Sequence, residues 1–178
     1  LNKKEKLSDI SSQKNEEVIK DLSERIIKFG GKPKLENDNQ QDLIKDLTKQ
    51  FEQFFVNSIL SDKSKNIIKD ENVNKTKVRF QKVIDLPHKD LRKLVDTGKK
   101  ELGEGIVIVF AIKDGKIGLA VGVTDKLTNK YDAVKFVKIG SEIIGGKGGG
   151  GGRPDFAQAG GVHKEKINEA FEKLKSLI

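Results

Sequence analysis

Residues 145–161 read GGKGGGGGRPDFAQAGG, and the cations around this run are the side chains best placed for chemistry. Lys147, Arg153, His163 and Lys164 bracket a stretch in which seven of the eight residues from Gly145 to Gly152 are glycine. The glycine N–H groups, Gly148, Gly149 and Gly150 foremost, together with the first turn of the last helix, form a natural anion site. In that site Arg153 would clamp a phosphate bidentately, and Lys147 would act as a mobile point charge. Arg153 has a second reading, an internal pair with Asp155 or a bond to a sheet edge. For Gln158, capping of the short strand that holds it ranks above contact with a ligand, and Phe156 is expected in the core.

Nucleotide-loop chemistry does not fit. A P-loop needs Ser or Thr after its Gly-Lys pair, and Lys147 is followed by Gly148. Gly146, Gly148 and Gly151 satisfy GxGxxG, but so many glycines match it by accident. The expected order, helix then loop then strand, is also the reverse of a dinucleotide fold. Catalytic sets are equally sparse. The chain has two histidines, His88 and His163, each expected in the first turn of a helix, and no cysteine, so the usual zinc sets cannot form. Asp85, Asp90, Asp114, Asp125 and Asp155 are scattered among lysines. They suit a cap (Asp85), a turn (Asp114) and an ion-pair partner (Asp155). No serine has a nucleophile-elbow context. These residues point to binding without intrinsic catalysis.

The elements that must position them follow from apolar spacing. Residues 2–29 form a charged helix with a thin seam of Leu7, Ile10, Val18, Leu22, Ile26 and Phe29, broken by Gly30-Gly31-Lys32-Pro33. A second helix covers about 38–60, where Leu43, Leu47, Phe51, Phe54 and Phe55 recur three and four apart. Two such helices cannot bury both faces alone. The stripe therefore either packs within the chain, as a hairpin on the globular half, or forms a seam with a second copy, and the second is favoured. Residues 61–76, rich in Ser, Asp, Asn and Lys, suit a linker. From 77 onward the pattern predicts a strand at 78–84, a helix opened by Asp85-Leu86-Pro87, a central strand at 106–112 and a hairpin turn at Asp114-Gly115. Next comes a strand with one bulky face (Ile117, Leu119, Val121, Val123) and one thin face (Gly118, Ala120, Gly122) that a helix can approach closely. A buried helix at 128–144, the Gly-rich loop at 145–152, a short strand and a helix at 163–177 complete the chain. The expected class is α+β: a helical subdomain over 1–70 with a linker to about 76, then a mixed sheet packed with helices over 77–178.

The net charge of +8 is uneven. Residues 1–75 carry 15 Lys and Arg against 14 Asp and Glu, and residues 76–178 carry 20 against 13. A basic globular half suits a polyanion, although lysine use for solubility gives the same balance. Five phenylalanines and one tyrosine in that half are too few for an expected base-stacking platform, so a nucleic acid would be read through backbone and shape. No apolar run reaches the length of a membrane span, the absence of cysteine fits a cytosolic setting, and the absence of methionine suggests excision from a longer protein.

The Gly-rich loop, then RPDFAQAGG, then a terminal amphipathic helix resembles the C-terminal domain of alanyl-tRNA synthetases, a member of the DHH-associated family also found in phosphoesterases and exonucleases. Phosphoesterase relatives carry a shorter Gly-rich motif with His, and the Arg-Pro-Asp form points to the synthetases. The similarity is best over 77–178, and the glycine run is slightly longer than usual. The resemblance implies a non-catalytic module with a helical part that often mediates dimerisation and a globular part that contacts the outer corner of alanine-specific tRNA, helping to couple aminoacylation with editing. The parent would be a cytoplasmic alanine-tRNA ligase using ATP and magnesium, with zinc in its editing domain, and none of those motifs lies here. Two other readings stay open: the substrate-binding domain of a DHH-type phosphoesterase, and a purely structural oligomerisation module.

Overall fold

The computed structural model describes residues 2–147 and 149–178 and divides at Ser61/Asp62 into two compact units. The first holds α1 (Lys3–Lys28) and α2 (Gln40–Ser61). Gln40 bonds Ser12 and Asn15, the Arg25 guanidinium lies 5.8 Å from the centre of the Phe51 ring, and Phe29 meets Phe51 and Phe55. Each contact joins residues 22 to 28 apart in sequence, so the helices run side by side in the same direction rather than as a hairpin. The return is the extended segment 30–39. A Cβ at Gly31 would come within 2.5 Å of the Phe54 ring, so only glycine lets the segment leave α1 beneath that ring. Gln50 holds the return by accepting from the Lys34 N–H and donating to its carbonyl, and the Asn39 side chain accepts from the Asp42 N–H to cap α2.

The second unit is a six-stranded sheet in the order β1-β2-β3-β4-β6-β5, with β1 (Asn66–Val73), β2 (Thr76–Ile84), β3 (Ile106–Lys113), β4 (Lys116–Val123), β5 (Gly150–Arg153) and β6 (Phe156–Gly161). Only β2 and β3 pair in parallel, joined through α3 (Leu91–Leu102). The expected mixed sheet is present, and Asp114-Gly115 makes the β3–β4 turn with both residues at positive φ. One face buries Val78, Phe80, Ile108, Phe110, Leu119 and Val121 beneath α4 (Ala133–Ile143) and α5 (Ile167–Lys175). On the other face lies α3. A Cβ at Gly122 would fall 2.2 Å from Val95 Cγ1, so the thin face of β4 admits this helix as expected.

Several expectations need correction. The polar stretch 61–76 is no linker, because Asn66–Val73 pairs along its whole length with β2 and ends in an Asn74-Lys75 turn at positive φ. Its residues are largely exposed, since an edge strand needs ladder bonds more than apolar side chains. Part of the expected loop is strand, with Gly150–Arg153 pairing with Phe156–Ala159. α4 starts at Ala133, five residues later than predicted, after a 3-10 turn at Asp125–Leu127. Asp85 does not cap a helix. It sits at φ +68° after β2 and pairs with Lys65 at 3.4 Å.

Candidate nucleic-acid interface

The Gly-rich segment joins α4 to the sheet through close backbone contacts. The Ser141 hydroxyl, fully buried in α4, donates to the Gly160 carbonyl at 2.6 Å, and the Gly146 N–H donates to the Ser141 carbonyl at 2.7 Å. The Ile144 carbonyl accepts from both the Val162 and His163 N–H groups at 2.8 Å. In this seam Gly145 has φ +81°, with the His163 ring where a Cβ would point, and a Cβ at Gly146 would lie 1.9 Å from Ser141 Oγ. Further on, a Cβ at Gly150 would press on Ala159, and one at Gly152 (φ +152°) would come within 2.3 Å of the Phe156 carbonyl. Four glycines of the run are therefore set by internal packing. Gly149 and Gly151 are different, because a Cβ at either would meet nothing within 4 Å.

The Arg-Pro-Asp turn between β5 and β6 is pinned by its carbonyls. That of Pro154 accepts from the Ala133 N–H at the start of α4, at 2.9 Å. That of Asp155 accepts from the Val123 N–H at 2.9 Å and from Lys99 Nζ at 2.7 Å. Proline needs no N–H partner here and fixes the φ that presents both carbonyls. Arg153 Nε lies 3.6 Å from Asp155 Oδ1, so the internal pair is formed, but loosely. Phe156 is buried as expected, and the Arg92 guanidinium covers its ring at 4.8 Å.

The structure separates the predicted cations. Arg153 opens onto the start of β6, whereas His163 follows its end. The five residue steps from Phe156 to Gly161 alone span about 17 Å at strand geometry. Arg153 and His163 therefore stand at opposite ends of β6. Lys147, His163 and Lys164 are exposed, and His163 Nδ1 faces Glu165 at 3.5 Å. The last helix begins at Ile167, so His163 and Lys164 precede it rather than forming its first turn, and Lys164 opens a 3-10 turn. His88 likewise opens a 3-10 turn ahead of α3. Gly149 and Gly150 are exposed on the edge ribbon, and Gly148 lies outside the described residues. Gln158 is exposed, and no side-chain hydrogen bond is formed by it among the described residues, so it caps nothing.

Sequence reasoning missed Arg92 and Lys99. Seven residues apart, they lie on one flank of α3 and reach Phe156 and Asp155 beside Arg153. The i, i+7 spacing is visible in the sequence, but the strand this flank faces is not. The stripe expected at a dimer seam is partly spent inside the chain: Leu47 is fully buried, and Leu43, Phe51 and Phe54 pack with it against Leu22 and Ile26 of α1. Phe55 stacks on Phe51. Among the described residues no three His, Asp or Glu side chains converge as metal ligands, and no helix is long and apolar enough to cross a membrane.

Electrostatics elsewhere are structural. Buried Arg79 of β2 bonds Asp70 of β1 through two contacts, at 2.8 and 2.9 Å, and also Glu101 of α3. The hydrogen bond from Arg79 holds the Asp70 carboxyl below its ordinary value, and the Asp70 bond raises the guanidinium further.

Comparison with known proteins fits this geometry. Residues 59–178 match the DHHA1 domain family. The match begins before β1, earlier than the residue 77 from which the resemblance was read. The alanine–tRNA ligase of Parvibaculum lavamentivorans is 55% identical over 91 residues, covering 51% of this chain and 10% of that protein. That of Bradyrhizobium diazoefficiens is 45% identical over 107 residues, covering 60% and 12%. The chain thus spans about a tenth of the length of these curated relatives. The crystal structure of the C-Ala domain from Aquifex aeolicus alanyl-tRNA synthetase overlays with a TM-score of 0.57 at 29% identity, covering 61% of this chain and 96% of that one. The chain belongs to the DHHA1 domain family, and it is homologous to the C-terminal domain of alanyl-tRNA synthetases.

Proposed function

We propose that this chain is the tRNA-binding and dimerising C-terminal module of an alanine-tRNA ligase, itself without catalysis. The observation that carries this reading is the match of residues 59–178 to the DHHA1 family together with the similarity of about half the chain to alanine-tRNA ligases and to the C-Ala domain structure. The placement of cations supports it: Arg92, Lys99 and Arg153 gather at one end of β6, with Lys147, His163 and Lys164 at the other. A folded polyanion can touch both ends, and a single small phosphate cannot. The module contacts the outer corner of alanine-specific tRNA and helps one tRNA serve both aminoacylation and editing. ATP, magnesium and zinc belong to the other domains of the cytoplasmic parent. Dimerisation uses the flank of α1 that its own chain leaves open, where Leu7, Ile10 and Val18 are 61%, 51% and 42% exposed.

Binding to alanine tRNA and to a random RNA duplex, each followed across a salt series, tests this reading. A preference for tRNA, with a slope of several released counterions, supports it. Indifference between the two ligands contradicts it and leaves a structural module with a basic surface.

A further inference from the structure

No residue of β1 is buried, although the strand pairs with β2 along its whole length. Lys69, Asp70, Glu71 and Asn72 are exposed. Of its apolar residues, Ile68 is 45% exposed and Ile67 and Val73 are only partly covered. The hydrophobic effect therefore does little to hold this strand. What holds it is polar. Buried Arg79 bonds Asp70 at 2.8 and 2.9 Å, and Gln81 donates to the Asn66 side chain at 2.8 Å. Lys175 of α5 meets Glu71 at 3.0 Å, and the Asn74 amide donates to the Ile178 carbonyl at 2.8 Å. The two-residue Asn74-Lys75 turn makes Val73 and Thr76 a hydrogen-bonded pair, so Glu71, Lys69 and Ile67 also bond β2 through their N–H groups. The bond from the Ile84 N–H to the Lys65 carbonyl keeps the same alternation.

Each cation that grips β1 has a second partner in the part that would stay behind. Arg79 also pairs with Glu101 of α3, and Lys175 also pairs with Glu172 within α5, at 2.9 Å. Departure of β1 thus leaves neither charge unpaired, which removes the main penalty for breaking a partly buried ion pair. β2 would then become the edge, and it carries Lys77 and Lys82, the residue type that guards exposed edges. The core beneath α4 and α5 receives from β1 only the partly buried Val73. Residues 62–75 read DKSKNIIKDENVNK, a polar composition that stays solvated when free. With β1 docked, α2 and the sheet are joined by residues 62–65, and the Asp62 carbonyl ties this short path by accepting from the Lys65 and Asn66 N–H groups. With β1 free, the path runs over residues 62–75, and its greatest span grows from about 13 Å to about 46 Å.

We propose that β1 is a releasable strap: it leaves β2 as one unit while the rest of the sheet stays folded, and the freed segment becomes a tether that lets the helical and sheet units reorient. Release in this sense is independent of the partner either unit takes. Amide hydrogen exchange followed by NMR on the 178-residue chain tests it. The N–H groups of Ile67, Lys69 and Glu71 are expected to exchange together, about a hundredfold faster than those of β3 and β4. Asp70→Asn and Lys175→Gln should each speed all three by about tenfold and leave β3 and β4 unchanged. Exchange as slow as in β3 and β4, or acceleration only beside the substituted residue, would overturn the proposal. Lys69→Pro removes a donor that the ladder needs and so forces the strap open. This variant should still unfold cooperatively and keep its β3 and β4 protection, while the amides of residues 3–61 tumble faster than in the unmodified chain. Loss of that protection would show that β1 is part of the core, and unchanged tumbling would show that release does not free the helices; either result sinks the strap.

Discussion

At the residue scale the glycines fall into two kinds, and substitutions should sort them. Gly152→Ala places a methyl against the Phe156 carbonyl and Ala157 at a φ that alanine avoids, so a loss of about 1–3 kcal/mol is expected. Gly151→Ala meets nothing and should be neutral or stabilising by up to about 1 kcal/mol. Urea unfolding of the two variants decides this, and equal losses would refute the division. The Arg79 cluster makes a different prediction. Asp70 has its carboxyl held below the ordinary value of 3.8 by the Arg79 bond, so its contribution is complete above that value and is lost as pH falls through the lowered one. Melting temperature should therefore decline on acidification below 3.8 more steeply in the natural chain than in Asp70→Asn, and the two should show parallel profiles near neutrality. The sequence made the chemistry of this scale partly legible. Arg153 and Asp155 are close enough in the chain to pair visibly, whereas Arg79 with Asp70 and Glu101, or Arg92 with Phe156, are brought together only by the register of strands and helices.

At the element scale the helices and inner strands were readable because their apolar positions repeat. The edge strands were not. β1 has charged and amide residues along most of its length, and β5 is almost wholly glycine; both owe their form to ladder bonds with a partner strand. Periodicity also identified the apolar face of α2 without revealing that α1 would run parallel and cover it, since a stripe carries no information about the direction of its partner. That packing has a direct test. Leu47→Ala removes a fully buried side chain from the α1–α2 seam and should cost about 2–5 kcal/mol, seen as early loss of far-ultraviolet helical signal. A loss below about 1 kcal/mol would mean that α1 does not pack there in solution. In the second unit, Ser141→Ala leaves the Gly160 carbonyl without its donor and should cost about 1–3 kcal/mol.

At the scale of the whole molecule, net charge and exposed apolar surface fall in different units. The β-unit is basic, and its cations stand at both ends of an open edge ribbon. The helical unit is nearly neutral and leaves an apolar flank on α1. On the proposed dimerisation and RNA binding, Leu7→Asp with Val18→Asp should give a monomer in sedimentation velocity without weakening the affinity of each protomer for RNA. A change in protomer affinity would tie the two functions together.

The central claim, that the β-unit grips the outer corner of tRNA, meets its most direct test in binding at fixed near-physiological salt to intact alanine tRNA and to its acceptor-stem minihelix. The account predicts a clear preference for the intact molecule, because only that molecule carries the corner. Equal affinity for the two would contradict it and reduce the interaction to general electrostatics.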